Sequence, residues 1–132
     1  MALLIAADVI IQAERKRLDL DAWLRAHARE EIRLAAITVA ELWRGTERAA
    51  PPQRSRRQKF LERLLGVFEV VPYDEKAAIE HARLWATLDA VGQRIGAEDL
   101  MLAATALESG AALVTFHARR FAAIPGLTVV TP

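Results

Sequence analysis

The stretch LLIAADVII, residues 3–11, decides the fold class of this chain. Residues 3–5 are uniformly apolar, which is typical of a strand buried on both faces of a parallel sheet. The run ends at small residues, and from residue 9 onward the apolar positions follow helical spacing behind Asp8. A buried strand that passes directly into a helix is typical of an α/β protein.

The rest of the chain alternates in the same way. Thr38 and Glu41 form a T-x-x-E pattern that predicts a capping box at the start of a helix, and the Pro51-Pro52 pair is expected to stop that helix. Further strands are predicted at residues 32–37, 68–71, 112–115 and 127–130, and further helices over 20–28, 56–65, 74–91 and 100–107. This order predicts an α/β fold in which helices sandwich a largely parallel central sheet.

Length and composition indicate one domain that spans residues 1–132. The chain is 53% hydrophobic, which is enough for a sizeable core. It has no cysteine, so disulfides, zinc-thiolate sites, iron-sulfur clusters and cysteine nucleophiles are excluded. The absence of cysteine suits a reducing cytoplasm, which is the expected location. The apolar run at residues 2–11 is interrupted by Asp8 and is too short to span a bilayer, so no membrane partner is expected.

The charge of the chain is nearly balanced overall but locally uneven. The formal net charge is +1, whereas residues 44–59 contain six basic residues and a single acid. Such a run is more often a solvated helix face or a dock for an acidic partner than a nucleic-acid footprint. The charge alone therefore leaves the partner open.

Several common catalytic signatures are missing. The chain has no phosphate-binding loop, no dinucleotide-binding glycine pattern and no nucleophile elbow. His27, His81 and His117 show no spacing that is typical of metal ligands. Nucleotide binding and serine-hydrolase chemistry are therefore not indicated.

Acidic residues lie where an open parallel sheet usually places its ligands. Asp8 follows the first predicted strand, Glu41 follows the second, and Glu98 and Asp99 open a later helix. Carboxylates gathered in one cleft repel each other unless a cation neutralises them, and oxygen ligands select Mg²⁺ or Mn²⁺. Each acid also has a structural interpretation, since Asp8 can cap a helix, Glu41 belongs to the capping box and the other two suit a helix dipole.

Four blocks of the sequence resemble the VapC-type toxins of the PIN-domain family. Residues 3–11 look like the opening strand that runs into D-[TA]-[SND]-V, and residues 36–45 resemble I-T-x-x-E-L-x-x-G. Residues 95–106 match I-G-x-x-D-x-x-I-A-A-x-A almost position by position, and residues 113–127 follow L-V-T-x-N-x-x-D-F-x-x-I-P-G-L. The blocks occur in order across nearly the whole chain.

The resemblance implies a fold, an activity and partners. It implies a PIN fold with a Mg²⁺-dependent endoribonuclease site, with Mn²⁺ as a substitute, at the carboxyl edge of the sheet. It also implies an RNA substrate, a homodimer and a cognate VapB-type antitoxin that occludes the site. Within that pattern Glu41 and Asp99 are the expected catalytic and metal-binding acids, and Glu98 is a further possible ligand.

The first departure from the family pattern concerns its first aspartate. Alignment of the opening block puts Ala6 at the position of that aspartate, and Asp8 two residues later at the S/N/D position. Ala6 therefore marks a catalytic and metal-binding position that lacks its carboxylate, and Asp8 is expected at the helix cap, with a possible role as a substitute ligand. The chain as it stands is expected to be inactive or weakly active, and an engineered and a natural replacement would look the same.

The second departure lies in the closing block. His117 stands where the family has asparagine and Arg120 stands where it has an acid, so a fourth carboxylate is also missing. Thr115 and His117 are expected to support the site, with Thr115 positioning a water. Arg44, Arg119 and Arg120 are expected to contact RNA phosphates, since the arginine fork suits bidentate binding.

Two functions follow from this reading. The first is an endoribonuclease toxin of a type II toxin-antitoxin system, and the second is a non-catalytic PIN-fold protein that keeps its antitoxin and dimer contacts. Both functions require exposed apolar surface for the antitoxin and dimer contacts. Some of the large side chains Trp23, Trp43 and Phe60 are expected to supply it.

Overall fold

The computed structural model describes residues Met1–Pro132 and contains one parallel sheet of five strands. The strands lie in the order β3-β2-β1-β4-β5, and every neighbouring pair is parallel. Their bounds are β1 Ala2–Ile5, β2 Glu31–Ala35, β3 Glu69–Val71, β4 Ala111–Val114 and β5 Val129–Val130. The predicted α/β sandwich is confirmed.

Six helices cover the two faces of this sheet. Their bounds are α1 Ala7–Glu14, α2 Leu20–Ala26, α3 Ala36–Arg48, α4 Pro51–Val67, α5 Glu75–Ala90 and α6 Ala97–Ser109. Neighbouring strand residues face opposite sides, so Leu4 packs with α5 and α6 while Leu3 and Ile5 pack with α1 to α4. The central strands are consequently buried on both faces, which explains their unbroken apolar sequence.

The predicted capping box does not form. Helix α3 begins at Ala36, directly after β2, with Ala35 as its N-cap. Thr38 therefore lies inside the first turn and is fully buried, and Glu41 lies one turn further along. The prediction was wrong because β2 passes into α3 without a loop, so the helix starts before the T-x-x-E pattern.

The proline pair has two roles, of which only one was predicted. Helix α3 ends at Arg48, and Pro51 is the first residue of α4. Proline is favoured there because the first turn of a helix has no partner for its N–H groups. The pair follows the end of α3, as predicted, but it also starts α4 at residue 51, earlier than the predicted residue 56.

The exposed apolar side chains are only partly those that were expected. Trp23 is buried between the helices, and Trp43 and Phe60 are only partly exposed. The most exposed aromatic residue is Trp85 of α5, with 58% of its surface accessible. No helix of the protein combines the length and the apolar character needed to cross a bilayer.

Candidate active site

A small cleft of about 170 Å³ opens at the carboxyl edge of the sheet, where β1 and β4 end. The first turns of α1 and α6 and the middle of α3 form its other walls. Its polar lining consists of Asp8, Glu41, Asp99, Thr115, His117 and Arg120, and we call it the acidic cleft. Three carboxylates from three helices therefore line the same cleft.

Ala6 lines the acidic cleft at the junction of strand and helix. It is the N-cap of α1, its N–H donates to the carbonyl of Val114 at 2.9 Å, and only 4% of its surface is exposed. Its position is fixed by this pairing of β1 with β4. A side chain longer than methyl at position 6 would extend among Asp8, Glu41 and Asp99, which line the same cleft.

Asp8 is not a helix cap. It is the second residue of α1, and its side chain reaches across to the segment that follows β4. Its Oδ1 accepts a hydrogen bond from the Thr115 hydroxyl at 2.9 Å, and its Oδ2 accepts one from the Phe116 N–H at 2.8 Å. The capping prediction was wrong because α1 begins one residue before Asp8, which frees the carboxylate to bridge two elements.

The bridge continues through Thr115 to His117. The Thr115 hydroxyl accepts a hydrogen bond from the His117 N–H at 3.0 Å, and His117 Nε2 lies 4.0 Å from Asp8 Oδ2. The hydroxyl is thus already engaged on both sides. The hydrogen bonds of Asp8 with Thr115 and Phe116 join residues 107 and 108 positions apart in sequence, so only the pairing of β1 with β4 could have revealed them.

Glu41 and Asp99 are the two acids of the cleft whose pKa values are raised. Burial raises the pKa of Glu41 above its ordinary value, and the nearby Asp99 carboxylate raises it further. Burial also raises the pKa of Asp99, while the Arg120 guanidinium opposes this rise. Neither acid has an ion-pair partner within 4.0 Å, so their charges are only partly compensated.

The remaining predicted residues are spread around the cleft. Glu98 is exposed and does not line it, in keeping with its position next to Asp99 on one helix. Arg44 lines a neighbouring depression together with Glu41. Arg119 and Arg120 belong to a short 3-10 helix over residues 118–121 that was not predicted, and only Arg120 lines the cleft.

The donor set suits a hard divalent cation but is incomplete. Carboxylate oxygens are the ligands that Mg²⁺ and Mn²⁺ prefer. Both oxygens of Asp8 already accept hydrogen bonds, and no three acidic or histidine side chains lie close enough together to hold a metal ion. Glu41 and Asp99 could therefore hold such an ion only with the help of a further ligand.

Known proteins share both the sequence pattern and the fold. The PIN domain family model matches residues 4–127. The VapC ribonuclease Y4jK of Sinorhizobium fredii is 38% identical over 84% of this chain and 81% of its own length. The tRNA(fMet)-specific endonuclease VapC of Salmonella typhimurium is 34% identical over 78% of this chain and 82% of its own length.

Solved structures agree with these relatives. The fold superposes with a TM-score of 0.91 on VapBC2 from Rickettsia felis, at 24% identity over 100% of this chain and 99% of that one. The TM-score is 0.74 for VapBC-5 from Mycobacterium tuberculosis, a member of the VapBC family of toxin-antitoxin systems, at 29% identity over 98% and 96% of the two chains.

The chain therefore belongs to the PIN-domain family. Within that family it stands among the VapC ribonucleases, because relatives of that name are more than 30% identical to it over more than two thirds of both chains.

The repulsion in the acidic cleft leads to a prediction for stability. Because the pKa of Glu41 is raised in the folded chain, the folded state binds more protons than the unfolded state between the two pKa values. The ionised carboxylate therefore lowers stability at neutral pH, and this penalty disappears as the pH falls below its ordinary pKa of 4.5. We expect Glu41→Gln to raise the Tm by about 1–3 °C at pH 7.5 in EDTA.

Thermal unfolding followed by circular dichroism from pH 4 to pH 8 checks this prediction. Glu47→Gln is the matched control, because Glu47 is an exposed residue of the same helix outside the cleft. A Glu41→Gln variant that is less stable than the parent at pH 7.5, or equally shifted at every pH, would contradict the electrostatic account.

Proposed function

We propose that this protein is an endoribonuclease toxin of a type II toxin-antitoxin system whose Mg²⁺ site lacks one ligand at Ala6. The observation that carries the proposal is the meeting of Glu41 and Asp99 with Ala6 in one cleft at the carboxyl edge of the sheet. The raised pKa values of the two acids support it, since a cation would relieve their repulsion. Cleavage of RNA by an Ala6→Asp variant, with Mg²⁺ or with EDTA, is the test.

The residues of the cleft have different roles in phosphodiester cleavage. Asp99 and Glu41 would hold the divalent cation, and the cation when bound supplies stabilisation of the charge that develops on the phosphate. Glu41 lines the same cleft, so it can also accept a proton from an attacking water. Asp8 holds Thr115 and the backbone of Phe116 in place, and thereby fixes the segment that carries His117 and Arg120.

RNA is the substrate class, and the cytoplasm is the expected place of action. The two relatives named above are a VapC ribonuclease and a tRNA(fMet)-specific endonuclease, which supports RNA without fixing its sequence. Arg44 and Arg120 lie next to the acids, so each can contact a phosphate beside the scissile bond. Arg119 is exposed on the same 3-10 helix as Arg120 and can contact a phosphate further away.

A second candidate function is a non-catalytic PIN-fold protein. Two departures favour it, because Ala6 removes a negative charge from the cleft and Arg120 adds a positive one. The Arg120 guanidinium opposes the rise in the pKa of Asp99, so it takes over part of the neutralising role of a cation. In this alternative the protein keeps its partner contacts and cuts no RNA even with an aspartate at position 6.

A VapB-type antitoxin is the proposed partner. The structural relative VapBC-5, at 29% identity, belongs to a family of toxin-antitoxin systems. A depression lined by Ala13, Leu18, Leu20 and Phe60 is the proposed dock for an apolar segment of that antitoxin. It lies beside the end of α1 and shares no lining residue with the acidic cleft.

The second proposed partner is another copy of this chain, through the face that carries Trp85. The indole is 58% exposed and stacks on His81 at a centroid distance of 5.6 Å, and His81 is in turn hydrogen-bonded to the Tyr73 hydroxyl at 2.7 Å. A rigid exposed tryptophan beside an apolar depression is typical of the centre of an interface. We expect a dimer at micromolar concentration, and Trp85→Glu to yield the 14.6 kDa monomer.

Light scattering coupled to gel filtration measures both masses. Val67→Glu is the control, because Val67 is exposed to 74% but belongs to α4 and does not line the depression beside Trp85. A strict monomer for the parent chain, or a Trp85→Glu variant that remains dimeric, would rule out this interface.

A further inference from the structure

A second surface feature is continuous with the acidic cleft. The cleft shares Ile11 and Glu41 with a depression of about 250 Å³ between α1, α3 and α4. That depression shares Glu14, Arg15 and Arg57 with a wider one of about 1020 Å³ between the end of α1 and the outer face of α4. We call these two depressions together the basic trough, and its floor leads into the cleft.

The basic trough concentrates positive charge. It is lined by eight basic and three acidic side chains, a net charge of +5, whereas the whole chain has a net charge of +1. The rest of the chain is therefore negative by four charges. A concave surface with this excess attracts a polyanion more strongly than a solvated helix face does.

These cations are free to bind a ligand. Of the eight, only Arg57 lies within ion-pair distance of a carboxylate, at 3.7 Å from Glu14. Arg57 also donates to the carbonyl of Gly45 at 3.0 Å, so it joins α4 to α1 and α3. Arg56, Lys59 and Arg63 extend along the exposed face of α4 without such partners.

Lys16 provides an independent observation. It is the only non-glycine residue with a positive φ, at 59°, and it ends α1 where the N–H groups of Lys16 and Arg17 donate to the carbonyls of Ala13 and Gln12. Glycine is the usual residue at such a helix end, because a side chain there is disfavoured. The chain nevertheless has a lysine at this position, and that lysine lines the trough.

The lining favours a nucleic acid over a protein partner. Phe60 is the only hydrophobic residue among the ten that line the wide depression, and Ile10, Leu42 and Leu61 of the narrower one are buried, whereas a peptide dock needs several exposed apolar anchors. Grooves that bind single-stranded nucleic acid combine a basic track for the backbone with an aromatic side chain on which a base stacks. Basic side chains around a partly exposed Phe60 match this description.

We infer that the basic trough binds the phosphodiester backbone of a single-stranded RNA segment on one side of the scissile bond and leads it into the acidic cleft. The inference rests on the proposed ribonuclease function and extends it from the cleft to the surface that selects the substrate. Arg56, Lys59, Arg63 and Lys16 contact phosphates, and Phe60 stacks on a base when the neighbouring antitoxin dock, which Lys16 and Phe60 also line, is empty.

Binding of a fluorescent single-stranded RNA of twenty mixed nucleotides, measured by anisotropy in EDTA, tests the inference without any cleavage. The variant Arg56→Gln/Lys59→Gln/Arg63→Gln should bind at least tenfold more weakly than the parent chain. Its plot of log K against log salt should be shallower by about 2, since each lost phosphate contact removes roughly 0.7 from the slope. The control Arg25→Gln/Arg29→Gln/Arg83→Gln loses the same charge at exposed sites outside the trough and should stay within twofold.

Lys16→Gly separates binding from folding. Glycine relieves the positive φ, so the Tm should be unchanged or higher, while RNA affinity should fall about threefold or more. Equal losses in the trough and control triples, tight binding of a duplex of the same sequence, or binding of polyglutamate in preference to RNA would each overturn the inference. RNA binding of the expected kind by a chain whose Ala6→Asp form cuts nothing would instead refute the proposed function and leave the trough as an RNA-binding surface.

Discussion

The Ala6→Asp variant is expected to cleave RNA in the presence of Mg²⁺ at least about 100-fold faster than the parent chain, which corresponds to about 2.7 kcal/mol of transition-state stabilisation. The physical reason lies in the position of residue 6. It is held by the hydrogen bond between its N–H and the Val114 carbonyl, and its side chain lines the cleft with Glu41 and Asp99. A third carboxylate there completes an oxygen ligand set for the cation. The measurement is the rate of degradation of total cellular RNA by purified protein.

Matched variants make this gain interpretable. Asp99→Asn in the Ala6→Asp background should remove the gain, because it deletes a second carboxylate of the same set while keeping the size of the side chain. Glu108→Gln, at the exposed far end of α6, should leave the gain intact. An Ala6→Asp chain that cuts RNA equally well in EDTA, or without Asp99, would contradict a metal-dependent site.

Asp8→Ala is expected to destabilise the fold while sparing catalysis. The carboxylate accepts two hydrogen bonds, from the Thr115 hydroxyl and the Phe116 N–H, and its side chain is only 19% exposed. Hydrogen bonds to charged groups contribute about 1.5–3 kcal/mol when buried, so after allowing for partial exposure we expect a loss of about 2 kcal/mol and about 5–8 °C in Tm. In the Ala6→Asp background, activity at a temperature where the chain is folded should fall less than about tenfold.

A true helix-cap aspartate is the control for this effect. Asp19 caps α2 by accepting from the Ala22 N–H at 3.0 Å and is exposed, so Asp19→Ala should cost only about 1 kcal/mol. The loss of stability in Asp8→Asn should lie between the losses in Asp8→Ala and Asp19→Ala, because the carboxamide keeps one of the two acceptor oxygens. If Asp8→Ala abolishes cleavage in a folded Ala6→Asp chain, Asp8 is a metal ligand and not a bridge.

The strands and most helices could be predicted because their signals are local. Residues 3–5 form an apolar run of the kind that only a doubly buried strand requires, and residues 75–90 follow Asp74, which caps α5 by accepting from the Ala77 N–H at 2.9 Å. Gly110 ends α6 with a φ of 68°, which glycine adopts without strain. In each case neighbours in sequence determine the structure.

The errors occur where neighbours in space take over. Thr38 looks like a cap, but burial against the core and the direct continuation of β2 into α3 move the helix start to Ala36. Asp8 looks like a cap as well, but its partners Thr115 and Phe116 come from the other end of the chain. Tertiary contacts of this kind leave no periodic trace in the sequence.

The candidate site was partly predictable for a similar reason. Glu41 follows β2 along the chain, so its place at the carboxyl edge of the sheet could be expected, whereas Asp99 opens a helix that follows another helix and was assigned to the site only through the family resemblance. The basic run at residues 44–59 is evident in the sequence. Its part in a continuous basic surface is not, because the trough also needs Arg15 and Lys16, which follow α1, and Arg63 further along α4. Only the packing of α4 beside the end of α1 joins these residues into one surface.

Calorimetric titration of Mg²⁺ into three proteins tests most directly whether position 6 is the missing ligand of a metal site. The proteins are the parent chain, its Ala6→Asp variant and that variant with Asp99→Asn. We expect weak binding by the parent, because Glu41 and Asp99 are the only cleft carboxylates not engaged in hydrogen bonds, and one site at least about tenfold tighter, about 1.4 kcal/mol, in Ala6→Asp. The added Asp99→Asn should reverse the gain. Equal affinity in the parent and in Ala6→Asp would contradict the claim that position 6 is the missing ligand, and so would an increase in affinity that survives Asp99→Asn.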